Sequence, residues 1–282
     1  MSLCIAWVRS FNNVDEIIIE TDSCYSGGQR FFAAPKIFPL KRNDCAIACA
    51  GDTSYSFPIA EHISRAIDLN PMLSNRAIDF TDFRHYVLDL ANKCLFEEQD
   101  PSTSPKGPEF QMILAGHSWK TREAYIYEIF YDKCIKKMNY RTQSTIKKTK
   151  FAVIGDCTPT VRKAIFDKLN SEGLPDGGRI DMQPLEVLYQ FISDKTPQTY
   201  PIGGYPQMVK IYPYPNVLPI AIKLKNATNH DIITYFGRPC LKYEMIPFPI
   251  YDVEQKKMLY MKKVDDGFSL EPEILGPLPF ES

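Results

Sequence analysis

Short apolar runs separated by turn residues mark the start of the chain as β-structure. Residues 2–8 form one such run, and three consecutive isoleucines at 17–19 form another. Because β-branched and aromatic residues favour strands, both runs predict strands, and Asn12 and Asn13 fit a turn between them. The pattern therefore predicts an N-terminal β-hairpin whose second strand ends at Asp22.

The residues after this hairpin bring an acid and an amine within reach of each other. Gly27 and Gly28 predict a turn, and the chain then leads to Lys36 at the start of the apolar run 37–40. If the chain reverses at the glycines, Asp22 and Lys36 meet at the ends of neighbouring strands. A buried lysine beside a carboxylate is a common arrangement for tuning proton transfer. An ordinary turn with a surface lysine is the alternative interpretation.

Helical and strand patterns follow one another irregularly along the rest of the chain. Apolar residues recur at helical spacing in four segments, which are 59–67, 80–97, 161–169 and 184–193. Continuous apolar runs predict further strands at 44–50, 110–116, 123–129, 151–154 and 205–211. Because strands and helices do not alternate strictly, the order favours sheets stacked between helix layers over a doubly wound parallel sheet.

Two further positions carry candidate chemistry, Gly51 and Ser2. Gly51 stands between a strand and a helix that a residue of 52–54 caps, and backbone N–H groups at such a junction can stabilise an oxyanion. Ser2 is small enough to permit removal of Met1, which would leave a serine with a free α-amine next to its own hydroxyl. Such a residue is a nucleophile with a built-in base.

Composition and charge exclude several classes of partner. The chain has 282 residues, and its 33 basic and 34 acidic side chains give a formal net charge of -1. No global field therefore attracts nucleic acid or an anionic membrane, and no apolar run reaches the roughly 18 residues of a membrane span. The N-terminus also lacks the pattern of a signal peptide, so we expect a cytoplasmic protein.

The eight cysteines are scattered and lie mostly in apolar segments. Cys45 and Cys49 would suit a metal site only together with a second pair, and no compact set of cysteines and histidines supplies one. We therefore expect reduced, buried thiols and neither a metal nor a cofactor.

Six short segments, taken together, resemble a known family. They are SLCIA at 2–6, IIETDS at 18–23, APKI at 34–37, ACAG at 48–51, IGD at 154–156 and IGG at 202–204. In this order they resemble the proteasome-type family of N-terminal-nucleophile hydrolases, which includes proteasome β subunits and the bacterial two-component protease ring. The resemblance implies an α+β fold, a four-layer αββα sandwich, for a domain of residues 1–211. Residues 212–282 would be a C-terminal extension that can form an arm on a neighbouring subunit.

The resemblance also implies roles for individual residues. Ser2 stands at the position of the nucleophile once Met1 is removed. Asp22 and Lys36 match the family's acid and lysine, and Gly51 matches the glycine whose N–H helps to form the oxyanion hole. The four residues chosen from local pattern are thus the four that the resemblance selects.

Three positions near the nucleophile depart from the family pattern. Asp156 replaces a serine that follows a glycine, Ile202 replaces another serine, and Thr199 stands where an aspartate is usual. Because these partners position the terminal amine in the family, their absence either leaves the amine less well held here or leaves Asp156 to hold it. Cys4 lies on the same strand face as Ser2 and is a second candidate nucleophile.

The implied function is a peptidase subunit of a homo-oligomeric ring that encloses its active sites and cleaves polypeptides. An ATP-dependent unfoldase would feed such a ring, whereas neither nucleic acid nor a membrane is an expected partner. Two alternatives remain open, namely a catalytically inactive scaffold subunit and an amidase that acts on a small molecule. Asp22 with Lys36 favours the enzyme, whereas Ile202 and Thr199 favour the scaffold.

Overall fold

Two β-sheets dominate the structure, and helices pack against each of them. The computed structural model describes residues 2–11, 14–25, 29–96, 107–146, 149–174, 180–194, 202–226, 228–264 and 267–272. The strands in these ranges are β1 (Leu3–Phe11), β2 (Val14–Thr21), β3 (Ile37–Pro39), β4 (Cys45–Gly51), β5 (Phe110–His117), β6 (Ala124–Asp132), β7 (Lys137–Thr142), β8 (Ser144–Ile146), β9 (Thr149–Gly155), β10 (Gln207–Tyr212), β11 (Asn216–Lys225), β12 (Asp231–Tyr235), β13 (Arg238–Pro239), β14 (Ile250–Asp252), β15 (Lys257–Val264) and β16 (Gly267–Pro272). The helices are α1 (Thr53–Leu69), α2 (Pro71–Ser74), α3 (Phe80–Phe96), α4 (Thr158–Ser171) and α5 (Gln183–Ser193).

The larger sheet has eleven strands in the described part of the chain, with the order β16-β15-β14-β11-β10-β2-β1-β9-β8. β12 branches from β11 and pairs with β13. The sheet is mixed, because β11 and β14 run parallel whereas the central pairs run antiparallel. The N-terminal hairpin predicted from the sequence is present as β1 and β2, with Cys4 opposite Thr21.

The pairing in the middle of this sheet brings three strand ends together. β9 pairs with β1 so that Leu3 lies opposite Gly155. The second strand of the hairpin, β2, pairs with the other side of β1 and ends beside the start of β1. The residues just beyond these strand ends, which are Ser2, Asp22 and Asp156, therefore converge at one end of the sheet.

The smaller sheet has the order β3-β4-β5-β6-β7, and its pairs are antiparallel. α1 and α3 pack against this sheet, with Ile63, Phe83 and Val87 fully buried in the shared core. α4 and α5 pack against the larger sheet through side chains such as Ile165 and Leu188. Each sheet thus buries an apolar layer beneath a pair of helices.

A separate core of small and branched side chains lies between the two sheets. Ala6 and Ile19 come from the larger sheet, and Ala48, Ile113 and Ala115 come from the smaller one. All five are fully buried. Alanine at facing positions lets the two backbones approach closely, so the start of β1 and the end of β4 are held in a fixed relation.

The expected four-layer αββα sandwich is wrong for this chain. The described residues form sixteen strands but only five helices, and the strands make an eleven-stranded mixed sheet and a five-stranded sheet. The difference arises largely after residue 212, where β11 to β16 add six strands and no helix among the described residues. The resemblance ended at residue 211, so it carried no information about this widening of the sheet.

Some elements agree closely with the sequence patterns. The helix predicted at 80–97 is α3, and the helix predicted around 59–67 lies within α1. Asp52 caps α1, because its carboxylate accepts the Ser54 N–H at 2.9 Å. In the described ranges, no helix combines the length and the apolar composition that crossing a membrane requires. The division of the chain at residue 211 stays a prediction.

Candidate active site

Ser2 is held from both sides of its main chain by a single acidic residue. Its main-chain nitrogen lies 2.6 Å from Oδ2 of Asp156, and its carbonyl accepts the Asp156 N–H at 2.8 Å. Gly155 makes this contact possible, because it has a φ of +97° and a Cβ added there would lie 2.0 Å from the Ser2 carbonyl oxygen. Only glycine fits that approach, so the end of β9 is built around the backbone of Ser2.

The carboxylate of Asp22 is fully buried and accepts four N–H groups. Oδ1 lies 2.7 Å from Lys36 Nζ and 3.0 Å from the Leu3 nitrogen. Oδ2 lies 3.1 Å from the nitrogens of both Cys24 and Gly203. Four donors around the two carboxylate oxygens fix the orientation of this side chain. Asp22 thereby links the start of β1 to the loop before β10.

Lys36 meets Asp22 in a pair that solvent does not reach. Both side chains have no exposed surface. The ammonium also lies 5.8 Å from the centroid of the Tyr25 ring. The carbonyl of Lys36 accepts the Cys49 N–H at 3.0 Å, which anchors the residue to β4 of the smaller sheet. The site therefore spans both sheets, with the acid on one and the amine tied to the other.

Gly51 lies at the strand-to-helix junction that the sequence predicts. Its φ is +93°, and an added Cβ would lie 2.4 Å from the Glu109 carbonyl oxygen. A Cβ added at Gly155 would lie 3.2 Å from the Cβ of Ala50, so the end of β4 adjoins the end of β9 and hence Ser2. The structure thus pairs Ser2 with Asp156 and Asp22 with Lys36, the N–H of Leu3 joins the two pairs, and Gly51 lies at their border. The catalytic roles of all five remain predictions.

Cys4 is a poor candidate nucleophile in this environment. Its side chain is fully buried between the sheets, and its thiol donates to the Cys49 carbonyl at 3.2 Å. Burial raises the pKa of Cys4 well above its usual value, and the nearby Lys36 offsets only part of that rise. Because the thiolate is the nucleophilic form, the neutral thiol favoured here is unreactive.

The three residues that depart from the family pattern lie in different surroundings. Asp156 contacts the Ser2 nitrogen, as described above. Ile202 is buried in the apolar core beneath α4 and α5, next to the Gly203 whose N–H reaches Asp22. Thr199 lies outside the described residues, as do Met1 and the predicted glycine turn at 27–28.

Sequence reasoning missed Gln207, which joins the segments that carry the acid and the amine. Its side-chain oxygen accepts the Lys36 main-chain N–H at 3.0 Å. Its side-chain nitrogen donates to the carbonyls of Asp22 at 3.1 Å and Ala34 at 2.8 Å. The one signal in the sequence is a polar residue at the start of an apolar strand, directly after a proline and shortly after a glycine pair. That signal does not reveal partners more than 170 positions away.

Comparison with known proteins finds a likeness in fold and none in sequence family. No protein-family model matches this sequence, and no curated protein matches it either. A solved structure with a similar fold is that of the Anbu complex from Pseudomonas aeruginosa, described as a helical assembly. The match has a TM-score of 0.56 and 14% sequence identity, and it covers 77% of this chain and 84% of the Anbu chain. At this identity the likeness is one of architecture, and the chain is similar in fold to the Anbu protein.

Proposed function

We propose that this chain is a peptidase of the N-terminal-nucleophile type, with Ser2 as the nucleophile after removal of Met1. The observation that carries the proposal is the contact set around the start of the first strand. Asp156 meets the Ser2 nitrogen at 2.6 Å, and Asp22 meets Lys36 at 2.7 Å. The resemblance assigns a terminal amine, a hydroxyl, a lysine and an acid to such chemistry, and Asp156 adds a second carboxylate beside the amine.

The terminal amine gains a hydrogen-bond partner in this arrangement. Removal of Met1 would convert the Ser2 nitrogen from an amide into an amine, and Asp156 already lies at hydrogen-bond distance from it. Asp156 would then orient the amine in place of the serine that the family uses. Asp22 would hold Lys36 in its charged form beside the nucleophile, because the two are paired away from solvent.

The proposed reaction uses these groups in turn. The Ser2 hydroxyl attacks the carbonyl carbon of a peptide bond, and its proton passes to the Ser2 amine, which acts in its neutral form. The N–H of Gly51 stabilises the oxyanion that forms. The carbon–nitrogen bond then breaks, the leaving amine takes the proton, and the acyl group remains as an ester on Ser2. Water hydrolyses this ester, which releases the acid and restores the hydroxyl.

The likeness in fold supports the proteasome-type resemblance only as far as the architecture, and the Anbu protein forms a helical assembly. We extend the proposal to a homo-oligomer that encloses its sites and receives unfolded polypeptides from an ATP-dependent unfoldase. This extension rests on the sequence resemblance, and it makes a self-compartmentalised assembly the expected form of the enzyme.

The test is covalent labelling by a peptide epoxyketone, a probe that reacts with a hydroxyl and an amine on the same residue and adds its whole mass. We expect one adduct per chain on untagged protein. Ser2→Ala is expected to remove the adduct, because it deletes the hydroxyl but leaves the amine. Asp52→Asn is the matched control, because Asp52 is an exposed helix cap and asparagine caps equally well. Labelling of Ser2→Ala at the wild-type level would refute the proposal.

A catalytically inactive scaffold is the second candidate, and one observation favours it. Ser2 has only 2% of its surface exposed, and Asp22 and Lys36 have none. A substrate must displace whatever covers these groups before it can react. Failure of the wild-type protein to form an adduct, with Met1 retained, would contradict the peptidase and favour the scaffold instead.

A further inference from the structure

The geometry points to an active-site role for Gln207 and for the C-terminal extension, resting on the proposed function of Ser2. We propose that Gln207 and the turn at Phe236 and Gly237 position Asp22 and Lys36 for catalysis. Neither Gln207 nor the turn would touch a substrate, so both are positioning elements. The argument rests on the contacts of Gln207, on the contacts of Ser23 and on the space around Gly237.

Gln207 uses both side-chain donors and its acceptor to fix the two segments of the site. The Lys36 N–H requires an acceptor, and the carbonyls of Asp22 and Ala34 require donors, so the partners settle which end of the amide is oxygen. The side chain is 1% exposed, which removes competition from water. Any shift of this amide therefore moves the main chains of Asp22 and Lys36 relative to each other.

Ser23, the residue after the catalytic acid, is held by a second group of contacts. Its hydroxyl donates to the Phe32 carbonyl at 2.7 Å and accepts the Tyr205 N–H at 2.7 Å. The same hydroxyl lies 3.4 Å from the Gly237 carbonyl oxygen. Ser23 thus sits between the loop that leads to Lys36 and the turn that joins β12 and β13.

Gly237 brings the backbone of the extension directly against Ser23 and Gln207. Its φ is +79°, and an added Cβ would lie 2.3 Å from the Ser23 Cβ and 3.1 Å from Gln207 Nε2. Glycine is therefore required for the close approach as well as for the turn. The neighbouring Phe236 packs against the core between the sheets, which holds the turn in place. A part of the chain more than 200 positions from Asp22 thereby closes the back of the site.

The test compares variants by the kinetics of epoxyketone labelling. Gly237→Ala and Gln207→Met are expected to reduce the limiting rate of adduct formation about 10- to 100-fold, because misplacing reacting groups by a fraction of an ångström to an ångström has effects of this size. The probe concentration at half-maximal rate should change little. Gly173→Ala is the matched control, because Gly173 also has a positive φ, +68°, but an added Cβ there meets nothing within 4 Å.

The final stoichiometry of labelling separates positioning from loss of folding. A variant in which part of the protein is irreversibly misfolded gives fewer labelled chains at an unchanged rate, whereas a misplaced site gives full labelling at a reduced rate. If either variant yields no folded protein, Ser23→Ala takes its place, since it removes a hydroxyl and adds no atom. It is expected to slow labelling in the same way.

Two results would overturn the inference in distinguishable ways. If wild-type protein forms no adduct, the proposed function of Ser2 fails and this inference fails with it. The second result is that wild-type protein is labelled and the variants at Gly237 and Gln207 have limiting labelling rates within about two-fold of the rates of wild type and of Gly173→Ala. That result refutes only the positioning role.

Discussion

Breaking the buried pair of Asp22 and Lys36 is expected to destabilise the fold as well as the site. Asp22→Asn keeps the shape of the side chain but removes its charge and turns one oxygen into a donor. Whichever way the amide points, its NH2 group faces N–H donors, because Lys36 and Leu3 occupy one oxygen and Cys24 and Gly203 occupy the other. The ammonium of Lys36 is left buried without its partner carboxylate.

The expected loss is about 3–5 kcal/mol of unfolding free energy, the usual effect of removing one partner of a buried ion pair. This is a large share of the roughly 5–15 kcal/mol that stabilises a typical domain. Replacing both members should be milder than replacing the acid alone. Asp22→Asn with Lys36→Met is expected to recover roughly 1–3 kcal/mol, because the double variant no longer buries an uncompensated charge.

Denaturant unfolding followed by tryptophan fluorescence measures these differences. Trp7 is fully buried in the core of the larger sheet, so its fluorescence changes when that core unfolds. Trp119 is already 57% exposed in the folded protein. Asp52→Asn again serves as the control and should change stability by no more than about 0.5 kcal/mol. A loss below about 1 kcal/mol for Asp22→Asn, or no recovery in the double variant, would show that the pair is not buried and coupled as described.

Three further predictions concern the surroundings of the site. Burial raises the pKa of Glu20 well above its usual value, and neither carboxylate oxygen has a hydrogen-bond partner among the described residues, so the neutral form is favoured in the folded state. The unfolding free energy of the wild-type protein, compared with that of Glu20→Gln, should be highest below about pH 4.3. Above that pH it should fall by about 1.4 kcal/mol per pH unit until the pH passes the folded-state pKa of Glu20. Parallel pH profiles of the two unfolding free energies would contradict this. Gly155→Ala should lower the melting temperature more than Gly173→Ala, because its new Cβ would lie 2.0 Å from the Ser2 carbonyl oxygen; equal melting temperatures would refute that contact. Cys4→Ala should retain one epoxyketone adduct per chain by intact mass, and loss of the adduct would identify the thiol rather than Ser2 as the nucleophile.

The local part of the site could be predicted from the sequence. Asp22 and Lys36 are only 14 positions apart, and the apolar runs on either side of them place both at strand ends. Gly51 was identified in the same way, because a glycine between a strand and a helical pattern marks a junction. Asp156 followed from the resemblance, since it stands where an expected partner of the terminal amine is missing.

The long-range part could not be predicted, because periodicity gives the type of an element and not its partner. Nothing in the pattern around Gln207 shows that its amide reaches Asp22, 185 positions earlier. The strands of the extension are also weak signals, since β13 has two residues and β14 has three. The expected αββα sandwich was wrong for the same reason, because the strands that widen the larger sheet lie beyond the segments that carried the resemblance.

The central claim, that Ser2 is an N-terminal nucleophile, is tested most directly on the first tryptic peptide of the labelled protein. Trypsin cleaves after Arg9, so tandem mass spectrometry of this peptide locates both the N-terminus and the adduct. The account predicts a peptide of residues 2–9 that begins at Ser2 and carries the epoxyketone on that residue. A peptide that begins with Met1 and carries no probe would contradict it.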